Sequence, residues 1–243
     1  MGSTHPIIAR PAVSADIATL VALEKSVFAP LGTEYYGEAY FNAWFETNPD
    51  GLIVADCGGR VVGYQYSQWT NFAFDDFRHF ATYHGATDGG FTRKSHRPDG
   101  NAVHCLSECS IMPGAGFVLG SSVIDLMMNF KKNFIVSQSR MPGFDNYAKS
   151  VENSNAPPDG VTLDELALWY AIGNAKLVGG KIWTALVGQP NLDLPLPDKK
   201  DPVLSGHLRF PGFGLAAILP NCMHDPQSRD YAALLVMTNP TLP

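Results

Sequence analysis

The order of elements legible in the sequence predicts an α+β protein built on a mixed β-sheet. Three stretches carry that prediction. Two extended runs, Leu52 to Asp56 and Arg60 to Gln68, are separated by Gly58-Gly59, a hairpin signal. Between His104 and Ser139 a strand, a glycine-bearing turn, an amphipathic helix and a second strand follow in succession. Near the end, Leu215 to Leu219 and Tyr231 to Thr238 form a closing pair of strands around a loop.

Each element has a local cause. Ile7, Ile8 and Ala9 read as a short strand. Ser14 stands as an N-cap before Ile17, Leu20, Val21, Glu24, Val27 and Phe28 at helical spacing, and Pro30 and Gly32 end that helix. Tyr35 to Phe45 is a second, aromatic-rich helix, closed by Asn48, Pro49, Asp50 and Gly51. Trp69 to Asn101 has no clear period. It predicts a long irregular insertion with one short helix near Phe74 to Tyr83. A second insertion runs from Phe144 to about Lys200. It is polar from Ser150 to Gly160, and Thr162 with Glu165 then makes a capping box before Leu166, Trp169, Tyr170 and Ile172. A proline-rich connection, 188–200, leads to a short helix expected over Asp201 to Phe210, with Pro202 near its first turn. Residues 1–243 read as a single domain carrying these two insertions, at about 69–101 and 144–200.

The central stretch, Glu108 to Asn133, has the layout of an anion site. Its strand ends at Met112 and Pro113, Gly114, Gly116 and Gly120 follow, and Val118, Ser121, Ile124, Met127 and Met128 mark the helix. Backbone N–H groups and the positive end of a helix dipole point at whatever lies before such a turn. A net charge of −6 gives no electrostatic reason to expect nucleic acid. No apolar run reaches the roughly 18 residues of a membrane span, and MGSTHP lacks the apolar core of a secretion signal. The four cysteines form no CxxC. Cys105 and Cys109 are expected on one strand face, too far apart to bond, and reduced thiols suit a cytoplasmic setting. His104 with Cys105 and Cys109 lacks a fourth ligand and zinc spacing, so no metal is expected.

Five pieces in order resemble the GNAT superfamily, the GCN5-related N-acetyltransferases. IIARPAVSADIATLVALEKSVF is similar to the family's first strand and helix, and GLIVADCGGRVVGYQYS to its central hairpin. CSIMPGAGFVLGSSVIDLM resembles its acyl-CoA motif, DPVLSGHLRFPGF the helix and Gly-Phe pair before the sixth strand, and AAILPNCMHDPQSRDYAALLVMTNP the closing strands. The resemblance implies a sheet of about seven strands with helices on both faces and a V-shaped splay between strands 4 and 5. It further implies acetyl-CoA or another acyl-CoA as co-substrate. Its pantetheine arm would run along the backbone of Cys109, Ile111 and Met112, and its pyrophosphate would sit on Gly116, Val118, Gly120 and Ser121. The motif departs from the family at Ala115, where a basic residue or Gln is usual, and at Val118, where a glycine is usual.

The family transfers an acyl group from the thioester to an amine, with a base for the ammonium and an acid near the sulfur. The acid is usually a Tyr on the helix before the Gly-Phe pair. Here that helix has no Tyr, and His207 stands at or beside the position. In GNAT-like polyketide loading domains a His on this helix and a Thr on the fifth strand act on malonyl groups. Ser139, with Ser137 on the same side of its strand, resembles that hydroxyl. Glu108 is the carboxylate of the fourth strand and the candidate base. The resemblance thus implies an acyl-CoA-dependent N-acyltransferase working on a small-molecule acceptor. One alternative is a decarboxylase or S-acyltransferase working on carrier-protein thioesters. Another is an inactive, ligand-binding form of the fold.

Overall fold

The computed structural model describes residues 5–31, 35–153, 160–189 and 194–242. Gly32, residues 154–159 of the polar run and residues 190–193 of the proline-rich connection lie outside the described residues. The elements, in chain order, are β1 (Ile7–Pro11), α1 (Ile17–Phe28), α2 (Glu38–Thr47), β2 (Leu52–Cys57), β3 (Arg60–Thr70), α3 (Tyr83–Thr87), β4 (Ala102–Ser110), α4 (Ala115–Asn129) and β5 (Phe134–Arg140). They continue as α5 (Phe144–Glu152), α6 (Leu163–Val178), β6 (Lys181–Ile182), α7 (Thr184–Val187), α8 (Leu204–Leu208), β7 (Phe213–Leu219) and β8 (Ala232–Thr238). The class is α+β. Eight strands, not about seven, occur among the described residues, because Lys181–Ile182 pairs in parallel with Gly214 and Leu215.

The chain forms two compact units, one of residues 1–72, 87–135 and 239–243 and one of residues 73–86 and 136–238. In the first, strands run antiparallel in the order β1-β2-β3-β4. Helices α1 and α2 cover a core of Leu20, Leu23, Phe41, Trp44, Val54, Tyr64, Tyr66 and Cys109. Helix α4 also packs on these strands and contributes none of that cluster. Ser14 does not cap α1; it opens a short 3-10 turn. Asp16 stands at the N-cap position of α1 without a side-chain cap; its carboxylate turns back to close the 3-10 turn, accepting the Val13 N–H at 2.9 Å while pairing with Arg10. The second helix begins at Glu38, three residues later than its aromatic pattern suggests, after the extended Gly37.

A register shift in β4 overturns the placement of its cysteines. Tyr66 lies opposite Ser107, yet Ser67 lies opposite Cys105, so Leu106 is an extra residue. Such a bulge reverses the alternation of side chains. Cys109 therefore faces the α1–α2 core beside Tyr64, and Cys105 faces the other side with Ser67. All four cysteines are free.

Glu24 on α1 is buried in the first core. It accepts a hydrogen bond from the Tyr64 hydroxyl and one from the Tyr36 N–H at 3.3 Å. Burial pushes its carboxyl pKa up, against the lowering effect of those two donors. A folded pKa above the unfolded value means stability that is fully present below the unfolded value, roughly 4.3, and lost as pH rises through the folded one. Glu24→Gln, neutral throughout, should therefore melt near the wild type at pH 4.5 and above it at pH 8, each kcal/mol adding about 2–4 °C. Thermal unfolding at the two pH values checks this, and a variant no more stable than wild type at pH 8 counts against it.

The second unit places β8 between β5 and β7, in the order β5-β8-β7-β6, with β7 and β8 antiparallel. The capping box expected at Thr162 is formed: the Glu165 N–H donates to the Thr162 hydroxyl at 3.2 Å and the Thr162 N–H donates to Glu165 at 2.8 Å. Two elements sit where the sequence shows no period. Helix α5 occupies the start of the second insertion, its apolar face of Phe144, Tyr147, Ala148 and Val151 buried. In the first insertion, Trp69 and Thr70 prolong β3. The helix expected near Phe74 to Tyr83 is instead a 3-10 turn at Arg78–Phe80 followed by α3. Among the described residues no helix is long and apolar enough to cross a membrane.

Candidate active site

The second unit gathers His207, Ser137 and Ser139. Ser137 and Ser139 are two apart on β5, so they share a face. His207 lies in the last turn of α8, which is shorter than its sequence suggests. Residues Asp201 to Val203 form its lead-in, and Asp201 accepts the N–H groups of Val203 and Leu204 at 2.9 Å each.

The hydrogen-bond network assigns the proton on the imidazole. Nδ1 lies 3.2 Å from the Val203 carbonyl, which can only accept, so Nδ1 carries the hydrogen. Nε2 is then the basic nitrogen, 3.3 Å from Ser137 Oγ, and accepts from that hydroxyl. Ser139 Oγ stands 3.4 Å from Nδ1 and donates to the Arg140 carbonyl at 3.2 Å. Burial pushes the His207 pKa below the ordinary histidine range, outweighing the Val203 carbonyl and the charge of Asp201, which raise it. At neutral pH this is a neutral imidazole with one lone pair directed at a hydroxyl. At the end of β5, next to Ser139, the Arg140 guanidinium donates to Asp225 at 2.7 and 2.9 Å.

Ser137 and Asp201 gain roles that the sequence did not separate. Ser137 looked equivalent to Ser139 on strand periodicity. The sequence places Asp201 only at the start of the short helix, before Pro202.

In the first unit, α4 begins earlier than the glycine spacing suggests. Gly114 takes the left-handed conformation at φ 89° and α4 starts at Ala115. Gly116, Val118, Gly120 and Ser121 are thus helical residues, and Gly120 and Ser121 have N–H groups in the internal ladder of the helix. An anion at this end would meet the first-turn amides, of which Ala115 already donates to the Met112 carbonyl at 3.1 Å and Val118 to the Gly114 carbonyl at 3.2 Å. A Cβ on Gly116 would stand 3.0 Å from Glu108 Oε1, so the exposed Glu108 carboxylate lies against this turn. Cys109 is buried beside it, and burial with the charges of Glu24 and Glu108 raises its thiol to about 12, which leaves it no thiolate chemistry. Ile111 is exposed and Met112 half-buried just beyond β4. With these two amides engaged and the Glu108 carboxylate against Gly116, the start of α4 fits a phosphate only if Glu108 gives way.

No family model matches the chain, and no curated protein matches it. Solved structures do. The chain is similar to the GphF GNAT-like decarboxylase in complex with isobutyryl-CoA, at 18% identity over 95% of this chain and 98% of that one, with a TM-score of 0.63. It is also similar to the loading GNATL domain of CurA from Lyngbya majuscula, at 15% identity over 96% of this chain and 98% of that one, with a TM-score of 0.60. These likenesses are of fold: the chain has the GNAT fold.

Proposed function

We propose that this GNAT-fold chain decarboxylates a carboxyacyl thioester of the malonyl type, with His207 as the proton donor. The observation that carries the proposal is the half-buried, neutral His207 held between a carbonyl at Nδ1 and a serine hydroxyl at Nε2. Without substrate, burial keeps the ring neutral. A bound carboxylate beside it favours the imidazolium, so a proton loads at Nε2. The Ser137 hydroxyl is then released from Nε2 and can donate to the thioester oxygen. The bond between the α-carbon and the carboxylate breaks, CO2 leaves, and the electron pair passes to the thioester as an enolate. Negative charge grows on the oxygen that Ser137 faces. With the carboxylate gone, the imidazole falls back below neutrality and gives its proton to the α-carbon. The product is an acyl thioester, and solvent reloads the ring in the next cycle. Similarity of fold to a GNAT-like decarboxylase supports this choice.

The test is incubation with malonyl-CoA, and separately with a malonyl carrier protein, followed by mass spectrometry. Conversion to the acetyl thioester with CO2 release is expected. Both malonyl thioesters surviving intact would sink the proposal, and the preferred donor tells free CoA from a carrier.

A second reading, direct N-acyl transfer from acetyl-CoA or another acyl-CoA to a small amine, is favoured by Glu108, an exposed carboxylate able to take the ammonium proton. Glu108→Gln separates the two. Under decarboxylation it leaves CO2 release intact and tightens CoA-ester binding about two- to fivefold. It does so by removing a negative charge that competes for the start of α4, a helix-terminus effect of roughly 0.3–1 kcal/mol. Under N-acyl transfer it abolishes amine acylation. Calorimetry and an amine panel read both outcomes.

A further inference from the structure

Asp201 is 1% exposed. A carboxylate so enclosed must be matched by donors, and four face it. Oδ1 accepts the N–H groups of Val203 and Leu204. Oδ2 accepts the Gly143 N–H at 2.9 Å and the Tyr170 hydroxyl at 2.8 Å. The Asp201 N–H itself donates to Asn174 Oδ1 at 2.6 Å. A helix N-cap uses only the first pair. The second pair, with Asn174, ties the start of α8 to the start of α5 and to the middle of α6. Helix α8 is one turn and a half long, so its own hydrogen bonds cannot hold it in place.

His207 stands on that turn, and its Nδ1 reaches the carbonyl of Val203, the residue whose N–H Asp201 grips. The other groups around the ring are uncharged: Ser137 and Ser139 from β5 and the Phe213 ring from β7, 6.2 Å away. Tyr170 on α6 stays protonated, its pKa pushed up by burial and by Asp201. Asp201 is therefore the negative charge that acts on the ring.

We infer that Asp201 is the positioning residue of this site: it fixes the start of α8 and the Val203 carbonyl, and through that carbonyl the Nδ1–H form of His207. It acts through His207 and touches no substrate. Its effect on turnover rests on the thioester proposal; its effect on His207 does not.

Nitrogen-edited NMR of the wild-type histidines, with His207 assigned by its absence in His207→Asn, should show the Nδ1–H tautomer at neutral pH. Asp201→Asn keeps the size, loses the charge and leaves one oxygen to serve four donors. Its His207 should titrate at lower pH, and malonyl-CoA turnover at neutral pH should fall about tenfold, the size of a one-unit pKa change. Tyr170→Phe keeps the carboxylate and should show no downward shift. An Nε2–H tautomer in the wild type overturns the inference. So does a folded Asp201→Asn protein whose His207 titrates as in wild type. Should Asp201→Asn not fold, the wild-type tautomer and Tyr170→Phe decide, since a downward shift in the latter would assign the effect to packing. If malonyl-CoA is left intact by the wild type, the thioester proposal fails while the tautomer and titration results stand.

Discussion

His207→Asn should lower CO2 release from malonyl-CoA by about 10²- to 10⁴-fold, the range general acid–base groups supply. Asparagine places an amide N–H where Nδ1 lies and can still donate to the Val203 carbonyl, so that tie within α8 is kept while the titrating nitrogen that faces Ser137 is lost. The pH dependence has a fixed sign. Under the proposed decarboxylation the reactive form is the imidazolium, and burial lowers the free-enzyme pKa of the ring. Wild-type kcat/KM should therefore climb as pH falls toward and below the ordinary histidine range, and it should decline steadily above neutrality. Steady-state rates with both proteins between pH 5 and 8.5 provide the measurement. A variant retaining more than about a third of wild-type turnover, or a wild-type profile rising with pH, would remove His207 from the chemistry.

The largest stability effect is expected at Trp44. It is fully buried, stacked on Tyr66 at 4.5 Å and 5°, and met edge-on by Phe41 at 5.0 Å and Tyr36 at 4.8 Å. Its indole N–H donates to the Gly90 carbonyl at 2.6 Å, so it also pins the end of the first insertion to the α1–α2 core. Trp44→Ala removes the ring, leaves a cavity among rigid aromatics and orphans that carbonyl. The cost is about 3–5 kcal/mol, a large part of the 5–15 kcal/mol typical of a whole domain. Trp44→Phe should recover much of the packing and none of the hydrogen bond. Chemical denaturation of the three proteins tests the order, and an alanine variant within about 1 kcal/mol of wild type would contradict the account.

The parts of the fold that were legible in the sequence are those whose cause is local. Gly58-Gly59 announces its hairpin, and Thr162 with Glu165 announces α6, because each signal lies within a few residues of what it causes. Asp201 shows the boundary of such reading. Its link to Val203 and Leu204 is local and reads as a cap, but Gly143 and Tyr170 lie 58 and 31 residues away. Nothing near Asp201 reveals that its carboxylate is a hub. Ser137 and Ser139 are equally placed by strand periodicity, and only the tautomer set by Val203 distinguishes them. Helix α5 escaped notice because its four buried residues are spread among Asp145, Asn146, Lys149 and Ser150, so its composition reads as loop.

The extra residue at Leu106 has a further meaning. Strand β4 contains a change of phase, so its two halves are written in different frames. Simple alternation from His104 puts Glu108 and Ser110 on its side, whereas the pairing of His104 with Gln68 and of Glu108 with Gln65 puts them on the opposite one. Any comparison of this strand with another sequence must therefore place a one-residue gap inside it, or it will match inner residues to outer ones on one side of the gap. Removing Leu106 would leave the rest of the ladder as it stands, Cys105 opposite Ser67 and Ser107 opposite Tyr66, with the residues of each face unchanged. Leu106 is thus a residue that this strand can carry or lose without moving its neighbours to another face.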